Sequence, residues 1–212
     1  MPAQLTFEQF LSDAAQNGEA VNILFEQRLF DLVGVLHKIS GALSEALVPH
    51  ELVGGLAVLV HVEEADPAHA MLTRDVDLMV RREDLDRIKD AAARHGFRFR
   101  HSAGLDMLLF GSTDSAKNAV HLLFSGEKVR PNQATPNPPI APEKKRILGH
   151  EVMVIPLAGL VRMKLSAFRL KDQVHLIDLL EVGLIDGTWC SRFPPQLSAR
   201  LKQLIETRDR EA

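Results

Sequence analysis

The chain has 212 residues, 46% of them hydrophobic and 25% charged; this suffices for one compact domain, or a domain with a helical extension, and excludes a disordered or fibrous chain. With 25 Lys+Arg against 28 Asp+Glu, the formal charge of −3 excludes a uniformly basic coat protein and an acidic tail. The one cysteine, Cys190, excludes an internal disulfide framework and a Cys-rich zinc module, and fits a reducing cytoplasm.

Met1 to Gln16 lacks the basic flank, apolar core and cleavage site of a secretory signal. A short helix is predicted near Thr6 to Ala15. In Val21 to Val48, Phe25, Leu29, Leu32, Leu36, Ile39, Leu43 and Leu47 recur at spacings of mostly three and four, which predicts one long amphipathic helix. Charges throughout that stretch exclude a membrane span, so a soluble cytoplasmic protein without a membrane partner is expected. From His50 short apolar runs alternate with helical patterns, the texture of an α/β or α+β sheet domain. Glu51 to Val53 reads as a strand, Gly54-Gly55 as a turn, Leu56 to Glu64 as a helix and Val76 to Val80 as a strand. Arg82 to His95 reads as a helix closed by Gly96. Strands are expected at Phe97 to His101, Leu105 to Phe110 and Ala119 to Phe124. Five of the eleven prolines fall between Pro131 and Pro142, which predicts a loop crossing an edge. A strand pair at Arg146 to Leu148 and Glu151 to Ile155 precedes helices at Pro156 to Leu170, Asp172 to Val182 and Pro195 to Arg208. These elements divide into an N-terminal helical extension (1–49), a sheet domain (50–155) and a C-terminal helical segment packing on it (156–212).

The window from Gly54 to Asp77 is the most informative. A strand running into Gly54-Gly55 and then a helix presents backbone N–H groups to a phosphate with no side chain in the way. Further on, Thr73-Arg74-Asp75-Val76-Asp77 puts two carboxylates at i and i+2 on one strand face. Two hard oxygen ligands from one face suit Mg²⁺, completed by water and substrate phosphates. The bland alternative for Asp75 and Asp77 is a surface pair on an edge strand, and for the glycines a plain turn. Lys164 falls on the apolar stripe of its helix with Leu157, Val161 and Phe168, where an ammonium calls for a phosphate or carboxylate partner.

Gly54, Gly55, Thr73, Asp75 and Asp77, taken together, resemble the Gly-Gly or Gly-Ser turn followed by Thr/Ser-x-Asp-x-Asp of the nucleotidyltransferase superfamily that includes DNA polymerase beta. The segment from Lys164 to Asp172 resembles the Lys-Leu-x-x-x-Arg-x-Lys-Asp run of its small bacterial AbiEii-type members, some of which are toxins of toxin–antitoxin pairs. The resemblance covers roughly residues 50 to 182 as an ordered set of motifs. It implies an α+β fold, a mixed twisted sheet flanked by helices with N- and C-terminal helical extensions. It also implies Mg²⁺- or Mn²⁺-dependent transfer of a nucleoside monophosphate from an NTP to a hydroxyl acceptor, RNA or protein, and an antitoxin partner.

Under the resemblance Asp75 and Asp77 are catalytic metal ligands, and Gly54, Gly55 and Thr73 bind nucleotide phosphates. The C-terminal motif implies a catalytic Lys164 and nucleotide-binding Arg169, Lys171 and Asp172. The strand expected to bring a third carboxylate carries His121 instead, and His175 stands where relatives commonly have another Asp. His121 serves as general base or is an inward core histidine; Asp106 is the alternative third acid. Lys128 and Arg130 are candidates for the triphosphate or an RNA backbone, against an ordinary exposed loop. Arg169 and Lys171 are otherwise solvated, and Asp172 is otherwise the N-cap of the next helix. The competing reading is a catalytically impaired NTP- or metal-binding module of the same fold, or a purely structural interaction protein. Residues 128–171 carry 9 basic against 2 acidic residues, whereas residues 1–127 carry 11 against 19, so a basic strip follows the acidic sheet.

Overall fold

The structure is a computed structural model that describes residues 27–66, 73, 75–111 and 119–211. The helix expected near Thr6 to Ala15 and the Phe25 end of the first apolar stripe lie outside them. Helix α1 (residues 27–45) buries Leu32, Leu36, Ile39 and Leu43. Its stripe ends sooner than the spacing predicts: Leu47 has φ +54° and is 81% exposed, because the chain leaves the helix at residue 46.

Among the described residues seven strands form one mixed sheet in the order β3-β4-β5-β2-β1-β7-β6. They are β1 (Glu51–Val53), β2 (Val76–Val80), β3 (Phe97–Ser102), β4 (Leu105–Phe110), β5 (Ala119–Phe124), β6 (Glu143–Ile147) and β7 (His150–Val154). The central strands β1 and β2 are buried and apolar, apart from the buried carboxylate of Glu51 and the half-buried Asp77, whereas the edge strand β6 carries four successive charged residues, which keep an edge from pairing with other chains. β1 pairs antiparallel with β2 and parallel with β7, and β2 pairs parallel with β5.

Helix α2 (Gly54–Ala65) starts directly after β1, so the expected Gly54-Gly55 turn is the first turn of the helix itself. It packs on β2 and is covered by α4 (Leu157–Ala167) and α5 (Leu170–Glu181). A 3-10 turn (Arg82–Asp84) leads into α3 (Leu85–Arg94), whose Arg87 donates to the carbonyls of Ala46 and Leu47 behind α1. A second 3-10 segment (Gly187–Arg192), absent from the sequence reading, precedes α6 (Pro195–Glu211). Arg200 of α6 donates to the Leu165 and Ser166 carbonyls, satisfying the C-terminal end of α4. One apolar cluster runs from Leu32 through the sheet to Leu204. Among the described residues no helix is long and apolar enough to cross a membrane.

The proline-rich stretch is a loop, as expected, held at several points. Asn137 Nδ2 donates to the Phe124 carbonyl, the Thr135 N–H to Ser166 Oγ, and the Ala141 N–H to Glu51 Oε2.

Candidate active site

Strand register brings the first residues together. Val53 lies opposite Asp77 across β1 and β2, and Asp77 lies opposite His121 across β2 and β5; paired residues point to one face. His121 Nδ1 is accordingly 3.1 Å from Asp77 Oδ1, with 24% and 23% of the two side chains exposed. Asp106 pairs instead with Leu122, one step off this row, and is held by Arg82 (2.9 Å) and His101 (2.5 Å). It is therefore not the third acid of this site.

The two glycines have different neighbours. Gly54 has φ +76°, and a Cβ there would overlap the Asp77 carboxylate, lying 2.8 Å from its Cγ. A Cβ on Gly55 would lie 2.6 Å from Thr73 Oγ1. Bare backbone at both positions lets Asp77 and Thr73 close onto the start of α2. The N-cap of α2 is Val53, which supplies no side-chain cap, so the first-turn N–H groups and the helix dipole favour an anion.

Opposite this wall stand α4 and α5. Lys164 is 5% exposed; its Nζ donates to His175 Nδ1 at 2.8 Å and to Asp172 Oδ1 at 3.4 Å. Asp172 also accepts from the Arg169 backbone N–H (3.1 Å), Nε (2.7 Å) and a terminal guanidinium nitrogen (3.2 Å). Arg169 is the N-cap of α5 and Asp172 its N3 residue, joined in a capping box. This sets aside the alternative of Asp172 as the N-cap: Phe168, at φ +52°, ends α4, and Arg169 caps α5 three residues before Asp172.

Gly54, Asp75, Asp77, His121, Arg130, Lys164, Arg169, Lys171 and Asp172 all line one cleft of about 280 Å³. Gly55, Thr73 and the exposed Lys128 are not among the lining residues, although Gly55 follows Gly54 in the first turn of α2. Gln133, which the sequence did not single out, joins the lining and accepts from the Val129 N–H. A lone amide in a proline-rich segment gives no pattern by which to find it. Leu105, Val129 and Met163 supply an apolar side.

No family model matches the chain, and no curated protein matches it. Among solved structures, an antigenic nucleotidyltransferase-like protein from Paracoccidioides brasiliensis superposes with a TM-score of 0.51 at 12% identity, over 84% of this chain and 89% of that one. The chain has the nucleotidyltransferase fold. ANT(2'')-Ia in complex with adenylyl-2''-tobramycin gives a TM-score of 0.47 at 16% identity, over 85% and 98% of the two chains. The lincosamide antibiotic adenylyltransferase LnuA, lincomycin-bound, gives 0.46 at 13%, over 70% and 96%.

In this nucleotidyltransferase fold the charges of the cleft have definite causes. The hydrogen bond to Asp77, aided by the charge of Asp75, raises the His121 pKa above its ordinary value against the effect of burial. Burial pushes Asp172 up, but the Arg169 hydrogen bonds and the Lys164 charge outweigh it and hold Asp172 below the usual carboxylate range. Burial lowers Lys164, opposed by the charges of Asp172 and Asp77. Among the described residues no group of three or more His, Cys, Asp or Glu side chains could hold a metal ion alone. Two carboxylates on an open cleft, with the apposed cations on the far wall, fit Mg²⁺, which keeps waters and takes substrate phosphates as further ligands.

Proposed function

We propose that the protein is a metal-dependent nucleotidyltransferase that transfers a nucleoside monophosphate from an NTP to a hydroxyl acceptor. The observation that carries this reading is the facing of Asp75, Asp77 and His121 with Lys164, Arg130 and Lys171 across one cleft beside the uncapped start of α2. Asp75 and Asp77 would hold Mg²⁺ or Mn²⁺, which when bound supplies Lewis-acid neutralisation of the triphosphate. The backbone of Gly54 and Gly55 and the cations Lys164, Lys171 and Arg130 bind phosphate oxygens, while Thr73 backs the glycines. Arg169 and Asp172 hold Lys164 in place. With Nδ1 donating to Asp77, His121 keeps Nε2 free to take the proton of the acceptor hydroxyl. The acceptor oxygen bonds to the α-phosphorus, the bond to the bridging oxygen breaks, and pyrophosphate leaves with its charge met by the lysines.

Lys128 and Arg130 at the exposed rim favour RNA as the acceptor, with protein as the second arm of the test. The motif from Lys164 to Asp172 supports an AbiEii-type relation, and with it a toxin restrained by an antitoxin. Growth arrest on expression, lost with Asp75→Ala/Asp77→Ala, is the expected sign of that role.

The deciding experiment incubates the protein with each labelled NTP, Mg²⁺ or Mn²⁺ and a cell extract, then separates RNA from protein. Label transfer by the wild type, reduced at least about 100-fold in Asp75→Ala/Asp77→Ala, is expected. Tight metal-dependent NTP binding without transfer by the wild type would establish instead a binding module in which His121 does not replace the missing carboxylate.

A further inference from the structure

His175 is the one strongly perturbed histidine near the cleft that the reaction scheme leaves without a part. It does not line the cleft. Its ring lies between two parts of the site: Nδ1 faces Lys164 Nζ at 2.8 Å, and Cε1 is 3.6 Å from the place of a Cβ on Gly55. Burial first, then the charge of Lys164, lowers its pKa to about 4, so the imidazole is neutral near pH 7. Because Lys164 can only donate, Nδ1 is the acceptor and the ring proton sits on Nε2.

The charge balance around Lys164 gives this tautomer a consequence. The groups acting on it are Asp172, Asp77 and Lys171, with Arg169 bound to the same Asp172. Asp172 is thus one carboxylate shared by two cations, which leaves positive charge over. Of the three N–H bonds of Lys164, one goes to His175 and one to Asp172. The third has no protein partner among the described residues, and Lys164 lines the cleft. A carboxylate at position 175 would cancel the surplus charge, whereas a neutral acceptor directs the ammonium without cancelling it.

Resting on the nucleotidyltransferase reading, we propose that His175 is a positioning residue: a neutral hydrogen-bond acceptor that orients Lys164 toward the triphosphate and leaves its charge free to bind it.

Inorganic triphosphate with Mg²⁺ is a base-independent probe, and calorimetry at pH 7.5 and low salt reads its Kd. His175→Asn, whose amide oxygen can accept from Lys164, should bind within about threefold of wild type. His175→Leu, which removes the acceptor, and His175→Asp, which neutralises the ammonium, should each bind about tenfold more weakly. In a Lys164→Met background the His175→Leu effect should vanish. Wild-type affinity in both His175→Leu and His175→Asp would overturn the proposal while leaving the nucleotidyltransferase reading standing. No binding by folded wild type would overturn both. Nitrogen NMR of the wild type checks the tautomer without any variant: a proton on Nε2 above about pH 5 supports the assignment, and a proton on Nδ1 refutes it.

Discussion

At Gly54 a φ of +76° and the carboxylate of Asp77 compete for the space that a side chain would need. Gly54→Ala should therefore strain the backbone by about 1–2 kcal/mol and also push Asp77 out of the row it shares with His121. A lowered midpoint in thermal unfolding, together with lost metal-dependent NTP binding, is the expected result. Glu51 makes a different demand. It is fully buried, its Oε2 accepts the Ala141 N–H and its Oε1 has no hydrogen-bond partner. Burial raises its pKa from 4.5 to about 7. An acid whose folded pKa is raised binds more protons folded than unfolded, so its contribution is full below about pH 4.5 and is lost as pH rises through about 7. Glu51→Gln, which mimics the protonated acid, should flatten that dependence and gain about 1–3 kcal/mol over wild type at pH 8 in urea unfolding. Asp75 and Asp77 were legible in the sequence because two acids alternate at the entry to an apolar run, although only Asp77 lies within β2. Glu51 was not, since one acid at the first position of a strand reads as a solvated end until a loop covers it.

Among the elements, the proline-rich loop and α4 are joined at one hydroxyl. Ser166 Oγ accepts from the Thr135 N–H (2.8 Å) and Thr135 Oγ1 (3.2 Å), and it donates to the Thr135 carbonyl (2.9 Å). Ser166→Ala should cost about 1–3 kcal/mol in urea unfolding, because buried partners lose their bonds. It should also raise KM for NTP more than it lowers kcat, since the loop carries Arg130 and Gln133 to the cleft. The sequence located β2, β4 and β5 to the residue because alternating or continuous apolar runs bounded by turn residues are unambiguous. It placed the β6–β7 hairpin too late. Leu148 (φ +47°) and Gly149 (φ +80°) form the two-residue turn between Ile147 and His150, and a leucine is seldom expected at positive φ. The charges of Glu143 to Arg146 likewise hide an edge strand, whose exposed face needs no apolar residues.

For the molecule as a whole, the near-neutral total conceals a division between the acidic residues 1–127 and the basic stretch from 128 to 171. Arg130, Lys164, Arg169 and Lys171 of that stretch meet Asp75 and Asp77 across the cleft. Binding of Mg²⁺–NTP should therefore weaken by about tenfold between 0.05 M and 0.5 M NaCl, measured by calorimetry, as salt screens the exposed cations. The sheet class and helical flanks were readable from periodicity; strand order was not, because it depends on pairings between distant segments. One such pairing also constrains biosynthesis. Leu52 of β1 pairs with Val154 of β7, about a hundred residues later, a separation that slows formation of the contact. As the chain leaves the ribosome, the apolar strand β1 has an open edge until β7 emerges. The nascent chain is thus exposed to misassociation for about half of its synthesis, and holding factors that shield it should raise the yield of folded protein.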